Sequence, residues 1–239
     1  MKQMNDLENF YFNGYAIGQF KQDKTLDHFN NMLRQIFNGN IKESYSLKSK
    51  YPFSKDLRPQ VYDYDSSILD ILFENDIPGL IKNALGYDLC LAHIQLRIAD
   101  PFPEGQKQRS YMEWHRDTHF YNNKLSGNAP PIFKLIYYPE LNEEEETPLM
   151  VAPGTHLRIF TDREQDYHQL HASRIKSVKT SMDKFLFFNT SLFHSTAPAH
   201  NNSTLRIIYS FCLHSQLSKY TEQTKLHDLY KKKLEIYTR

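Results

Sequence analysis

At 239 residues the chain has room for one large β-rich domain or two small ones, and a single domain over 1–239 is the simpler reading. Lys and Arg together number 29 against 28 Asp and Glu, a formal net charge of +1, so no global field draws the molecule to nucleic acid or to anionic membranes. The first nine residues are polar, no apolar run approaches the roughly 20 residues that span a bilayer, and Cys90 and Cys212 lack C-x-x-C spacing. These features read as a cytoplasmic protein with buried, unreactive thiols.

In chain order, a helical front precedes a β-rich body. Thr25 to Phe37 sets Leu26, Phe29, Leu33, Ile36 and Phe37 at helical spacing, and Ser67 to Leu85 repeats the pattern, with a break expected around Pro78-Gly79. Each apolar stripe needs a sheet to cover it. From Leu89 onward strand-like runs take over: Leu89 to Ile98, Tyr111 to His115, Ile132 to Tyr138, Leu149 to Val151, Ile175 to Val178, Phe185 to Phe188 and Arg206 to Leu213, separated by Pro, Gly, Asn and Asp. The acidic run Glu143 to Glu146 reads as a solvated loop, and Ser218 to Tyr237, rich in Lys, Glu and Leu, as a closing helix. The expected fold is mainly β with flanking helices, a double-stranded β-helix of the jelly-roll, cupin-like kind. It divides into a helical front 1–88, a core 89–215 and a C-terminal helix 216–239. Such a fold also hosts lectins, so it does not decide function.

The chemistry concentrates in Tyr111-Met112-Glu113-Trp114-His115-Arg116-Asp117. Residues two apart on a strand face one side, so the His115 imidazole and the Asp117 carboxylate converge while Arg116 turns away. Two His and one carboxylate on one face of an octahedron are common holders of mononuclear non-haem Fe(II), with the opposite positions open for a cosubstrate and dioxygen. An H-x-D alone is a weak signal, because such residues meet by chance in many chains. It gains weight from Pro148-Leu149-Met150-Val151-Ala152-Pro153-Gly154-Thr155-His156, then Phe185 through His194, then Arg206 twelve residues later. His194 follows on an apolar run that a strand can hold rigid. The rival third ligand, His200, lies among Pro, Ala, Asn and Ser in an expected loop.

In their order, W-H-x-D, P-L-x-x-x-P-G-S/T-H, F-H and then Arg, these pieces resemble the phytanoyl-CoA dioxygenase family of Fe(II)/2-oxoglutarate oxygenases, including its ectoine-hydroxylase-like branch. Leu7 to Ile17 resembles the family's opening, a short helix leading to a Gly-aromatic strand, and Gln95-Leu96-Arg97-Ile98 resembles its first core strand. The resemblance implies His115, Asp117 and His194 as ligands of Fe(II). It implies Arg206 as the partner of the distal carboxylate of 2-oxoglutarate, Thr196 as a hydroxyl reaching the same group, and Gln95 as a further 2-oxoglutarate contact. A guanidinium suits that role on independent grounds, being always charged and offering a planar fork of donors to a carboxylate. The resemblance further implies that 2-oxoglutarate and O2 are consumed, succinate and carbon dioxide released, and a small-molecule substrate hydroxylated. Halogenating relatives lack the carboxylate ligand, and this chain keeps it in Asp117.

The chain departs from the family pattern twice. Members usually read E-N-G-P before P-G-S-H, whereas Glu145-Glu146-Thr147-Pro148 lacks the glycine and its backbone freedom. The interval from His194 to Arg206, through Pro198, His200 and Asn201, is about one residue longer than the resemblance leads one to expect.

Other conspicuous residues have plainer readings. Trp114 is core packing behind the metal strand, and His156 fixes its turn by a hydrogen bond. His119 and Phe120 sit on a lid loop that lines a substrate pocket, Lys107, Gln108 and Arg109 form a basic loop, and His168 and His171 are surface or loop positions. Two other functions stand beside the dioxygenase: a cupin-like metalloenzyme that uses no 2-oxoglutarate, with Arg206 in an ordinary ion pair, and a non-catalytic jelly-roll binding module.

Overall fold

The computed structural model describes residues 7–51, 53–58, 60–100, 114–117, 120–121, 124–125, 132–140, 146–196, 203–217 and 224–237. The front of the chain runs α1 (Leu7–Asn13), β1 (Tyr15–Gln19), α2 (Lys24–Phe37), β2 (Ser46–Tyr51), β3 (Ser54–Arg58), α3 (Ser67–Glu74) and α4 (Ile77–Leu85). The body follows with β4 (Cys90–Ala99), β5 (Phe120–Tyr121), β6 (Lys124–Leu125), β7 (Phe133–Tyr137), β8 (Glu146–Ala152), α5 (Arg163–Ala172), β9 (Lys176–Lys179), β10 (Lys184–Asn189), β11 (Phe193–Thr196), β12 (Thr204–Cys212) and α6 (Thr224–Tyr237).

Two antiparallel sheets carry the body. The larger has the order β1-β10-β7-β12-β4-β3-β2, the smaller β11-β8-β9, and β5 pairs with β6. Side chains from both larger sheets meet in one apolar cluster: Ile136, Tyr138, Leu186, Phe188 and Ile208 from the first, Leu149, Val151 and Val178 from the second. The architecture is the expected double-stranded β-helix with flanking helices.

Every residue of β12 is buried, because both faces of this central strand are covered. Leu205, Ile207, Tyr209 and Phe211 face outward and join Ile94, Leu96, Leu135, Tyr137, Phe185 and Phe187 under the helices. Arg206, Ile208 and Ser210 alternate with them and face the interior, opposite Arg97, Gln95 and His93 of β4. That alternation turns polar groups to the interior and apolar groups to the helices on one strand.

The helices close the outer face as their spacing predicts. In α2 the Asp23 side chain accepts from the backbone N–H groups of Thr25 and Leu26, capping the helix start, while Leu26, Phe29, Leu33 and Ile36 are buried. The 67–85 stretch breaks earlier than Pro78-Gly79: α3 stops at Glu74, and Asp76 takes a left-handed φ of 51°. Pro78 then falls in the first turn of α4, where its missing N–H costs nothing.

The β2–β3 hairpin and α5 carry no readable apolar pattern. Strand β2 is Ser-Leu-Lys-Ser-Lys-Tyr on a sheet edge, and α5 buries only Asp166 and Leu170. His168 and His171 lie on this helix and are exposed, surface positions as expected. Of the expected strand Tyr111 to His115, positions 111–113 lie outside the described residues, as do 107–109, His119, His200 and 218–223 of the expected closing helix.

Gly14 shows how the P-G-T-H turn is tied to the start of the chain. Its φ is 80°, and a Cβ there would stand 2.5 Å from Nδ1 of His156. His156 reaches past it and donates through Nε2 to the Tyr11 carbonyl at 2.9 Å, so this histidine fixes a turn, as expected.

Candidate metal centre

His115 and His194 come from segments 79 positions apart in sequence and are joined as a bridge pair: each backbone N–H donates to the other's carbonyl at 2.9 Å. This extends the smaller sheet past β11, so the H-x-D segment is held at its edge. Asp117 is anchored separately, its N–H donating to the Thr190 carbonyl at 3.0 Å. Nε2 of His115 lies 3.7 Å and Nε2 of His194 3.9 Å from Oδ1 of Asp117. All three donor atoms fall within 4.8 Å of one another. First-row divalent ions sit about 2.0–2.2 Å from such donors, so a small inward adjustment closes the triangle around one ion.

Protonation states favour a cation. Nδ1 of His194 donates to the Leu192 carbonyl at 2.9 Å, which leaves the Nε2 lone pair facing Asp117. Burial pulls the His194 pKa down to about 4 against the upward pull of Asp117, so the ring is neutral at pH 7. Burial pushes the Asp117 carboxyl up, but Lys134 and then the two histidines outweigh it and hold the pKa at about 2. The site thus offers a neutral imidazole in His194 and a carboxylate in Asp117, with the His115 ring beside them.

Behind the triad, Arg116 locks the segment in place. Its buried guanidinium forms a two-pronged pair with Asp166 of α5, Nε to Oδ2 at 2.7 Å and Nη2 to Oδ1 at 2.9 Å. Nη1 donates to the carbonyls of Thr155, at 2.7 Å, and Ser191. The guanidinium also stacks over Phe193, 3.9 Å from the ring centre. Thr155 completes the lock, accepting from the Phe193 N–H at 2.9 Å and donating to the Ala152 carbonyl at 2.8 Å. One side chain therefore ties H-x-D to the P-G-T-H turn, to α5 and to the residues just before His194. Trp114 packs beside this lock with Ala152, Leu170 and Phe193.

The interior face of the larger sheet carries the remaining polar groups. Lys134 of β7 lies opposite Ser210, and its Nζ donates to Oδ2 of Asp117 at 2.6 Å. Farther along, Arg206 and Arg97 are register partners on β12 and β4. Arg97 is engaged by the buried carboxylate of Asp56, which accepts from its Nε at 2.9 Å and from Nε2 of Gln95 at 3.3 Å. Nε of Arg206 is buried and has no partner among the described residues, and the buried hydroxyl of Tyr138 lies against the same guanidinium. Burial pushes the Tyr138 phenol up and the neighbouring Arg206 guanidinium draws it back. Thr196 ends β11 opposite Leu149, with its side chain outside the described residues.

Sequence reading missed Lys134, Tyr138, Asp56 and Asp166. A signal existed for Lys134: a lone cation inside Ile132-Phe133-Lys134-Leu135-Ile136 must find a partner when its strand is buried.

A family model described as Phytanoyl-CoA dioxygenase (PhyH) matches residues 13–207. Among solved structures, the epimerase SnoN in complex with Fe3+, alpha ketoglutarate and nogalamycin RO is 13% identical, with a TM-score of 0.61 over 87% of this chain and 82% of its own. HygX from Streptomyces hygroscopicus, with nickel, 2-oxoglutarate and hygromycin B bound, is 13% identical at TM-score 0.57 over 88% and 87%. EctD from S. alaskensis, with 2-oxoglutarate and 5-hydroxyectoine, is 17% identical at TM-score 0.59 over 88% and 76%. Identities this low speak for a shared fold. None of the curated proteins compared with this chain matches it.

Proposed function

This chain belongs to the phytanoyl-CoA dioxygenase family, and from that premise we propose that it works as one Fe(II)- and 2-oxoglutarate-dependent dioxygenase domain that hydroxylates a small molecule. The observation that carries the reading is the convergence of both Nε2 atoms, of His115 and His194, on Oδ1 of Asp117. A two-nitrogen, one-carboxylate donor set on one side of a cation suits Fe(II) and leaves its other side free.

His115, Asp117 and His194 would hold the iron. Bound iron, with 2-oxoglutarate and O2, would supply the oxidising chemistry, releasing succinate and carbon dioxide. The protein's part is placement. Arg206 brings a buried guanidinium Nε that lacks a partner among the described residues, with the buried Tyr138 hydroxyl beside the guanidinium, a fit for the distal carboxylate of 2-oxoglutarate. Arg206 stands four residues along β12 from Ser210, the neighbour of Lys134, or about 13 Å at strand rise. An arginine side chain and a five-carbon diacid together bridge that length. Thr196, two residues past His194, adds a hydroxyl, and Gln95 lines the same interior face beside Ile208.

Asp117 in the ligand set supports hydroxylation over halogenation. A cupin-like enzyme without 2-oxoglutarate would place Arg206 in an ordinary ion pair, and its Nε, without a partner among the described residues, speaks against that; the full ligand set together with Arg206 speaks against a binding module. Among the described residues no helix is long and apolar enough to cross a membrane. The thiols of Cys90 and Cys212 are unbridged, and burial pushes the latter up to about 12, in keeping with work in a reducing cytoplasm.

The test is succinate release by the Fe(II)-loaded protein with 2-oxoglutarate and O2 across a panel of small molecules, with oxygen incorporation into product followed by mass. Asp117→Ala should lose at least about a hundredfold, more than the loss usual for an outer-shell partner of a metal ligand. Equal succinate from wild type and Asp117→Ala, or oxygen uptake indifferent to 2-oxoglutarate, would end the proposal.

A further inference from the structure

We infer that Lys134 is a positioning residue that restricts Asp117 to one metal-facing oxygen, and so keeps a coordination position open for the cosubstrate or dioxygen; the inference rests on the iron and 2-oxoglutarate reading of this site. It comes from a division within a single carboxylate. Oδ1 of Asp117 faces the Nε2 atoms of His115 and His194 at 3.7 and 3.9 Å, whereas Oδ2 accepts a 2.6 Å bond from Nζ of Lys134. Each oxygen has its own task.

That division matters because a carboxylate can hold a cation through one oxygen or through both. A metal held by His115, Asp117 and His194 would need its remaining positions free for a cosubstrate and dioxygen. A second bond from Asp117 would take one away. Lys134 opposes it, since Oδ2 would have to surrender a charge-assisted bond within a partly buried site. The strand also fixes where the side chain starts: Lys134 lies between Phe188 of β10 and Ser210 of β12 in the larger sheet.

Charge makes the role separable from mere support. Lys134 repels a divalent cation and attracts a dicarboxylate, so its removal should affect the two in opposite directions. A lysine that only props up the fold would weaken both together.

The experiment titrates the full-length wild type, Lys134→Met and Lys134→Arg with Co(II) alone, then with 2-oxoglutarate under anaerobic conditions, recording heats and the visible spectrum of the bound cobalt. Lys134→Met should bind Co(II) at least as tightly as wild type, show an altered cobalt spectrum, and lose on the order of tenfold in 2-oxoglutarate affinity, the scale of one charge-assisted contact. Lys134→Arg should restore most of that affinity. Parallel weakening of Co(II) and 2-oxoglutarate in Lys134→Met, with a lowered Tm, would overturn the inference, and so would unchanged binding of both. A wild type that binds no Co(II), or whose cobalt spectrum ignores 2-oxoglutarate, would instead remove the iron and 2-oxoglutarate reading, and this inference with it.

Discussion

The H-x-D segment has a back and a front, and each presents a cation to an aspartate with a different result. On the back, Arg116 and Asp166 have side chains 0% and 1% exposed, and Asp166 also accepts from the Phe160 N–H and the Gln169 amide. On the front, Lys134 and Asp117 are 25% and 23% exposed, and one carboxylate oxygen is left facing two imidazoles. The back pair is saturated and the front pair is half committed. Pairing and charge alone do not distinguish structure from chemistry; the number of unsatisfied lone pairs does.

The largest way to break this contrast is on the back. Arg116→Met leaves Asp166 buried without its cation, and should cost about 3–5 kcal/mol in denaturant unfolding. Arg116→Met with Asp166→Leu should recover much of the loss, because an apolar pair replaces an ion pair at little net cost. If the single variant unfolds like wild type, the lock has been misread.

On the front, the effect should depend on pH. Without metal, folding lowers the His194 pKa from an ordinary 6.5 to about 4, so between those values the unfolded chain binds the extra proton. Stability should therefore be complete above pH 6.5 and decline toward pH 4, by up to about 3 kcal/mol from this group at 1.36 kcal/mol per unit. Asp117, lowered from 3.8 to about 2, adds a further decline as pH falls through that lower window. His194→Gln should flatten the upper part of the curve, measured as thermal unfolding across pH; an unchanged slope would place the acid sensitivity elsewhere.

The smallest effect sharpens the contrast at the far end of the interior. Arg206→Lys keeps the charge but loses the planar fork, and should raise the KM for 2-oxoglutarate about tenfold while leaving kcat less affected. Loss of kcat at unchanged KM would move Arg206 out of the cosubstrate site.

Much of this was legible before folding. Helix α2 follows from five apolar residues at helical spacing, and the strands β4, β7, β10 and β12 from apolar runs between turn residues. The triad was readable because two of its members are neighbours on one extended segment and the third ends an apolar run. The hairpin β2–β3 was not, since its edge strand is as charged as a loop, and α5 was hidden because its only important buried polar contact is Asp166. Lys134 could be seen as anomalous in a buried strand, but its partner lies 17 positions back.

What the amino-acid order determined by itself was the inventory and the facing: which donors exist, and that residues two apart on a strand point the same way. Cross-strand register decided the rest. It put Asp56 beside Arg97 rather than Arg206, while the backbone bonds from Asp117 to Thr190 and from Thr190 to Ile132 bring Asp117 to Lys134. Which charges end satisfied and which stay open is therefore a property of the assembled sheets.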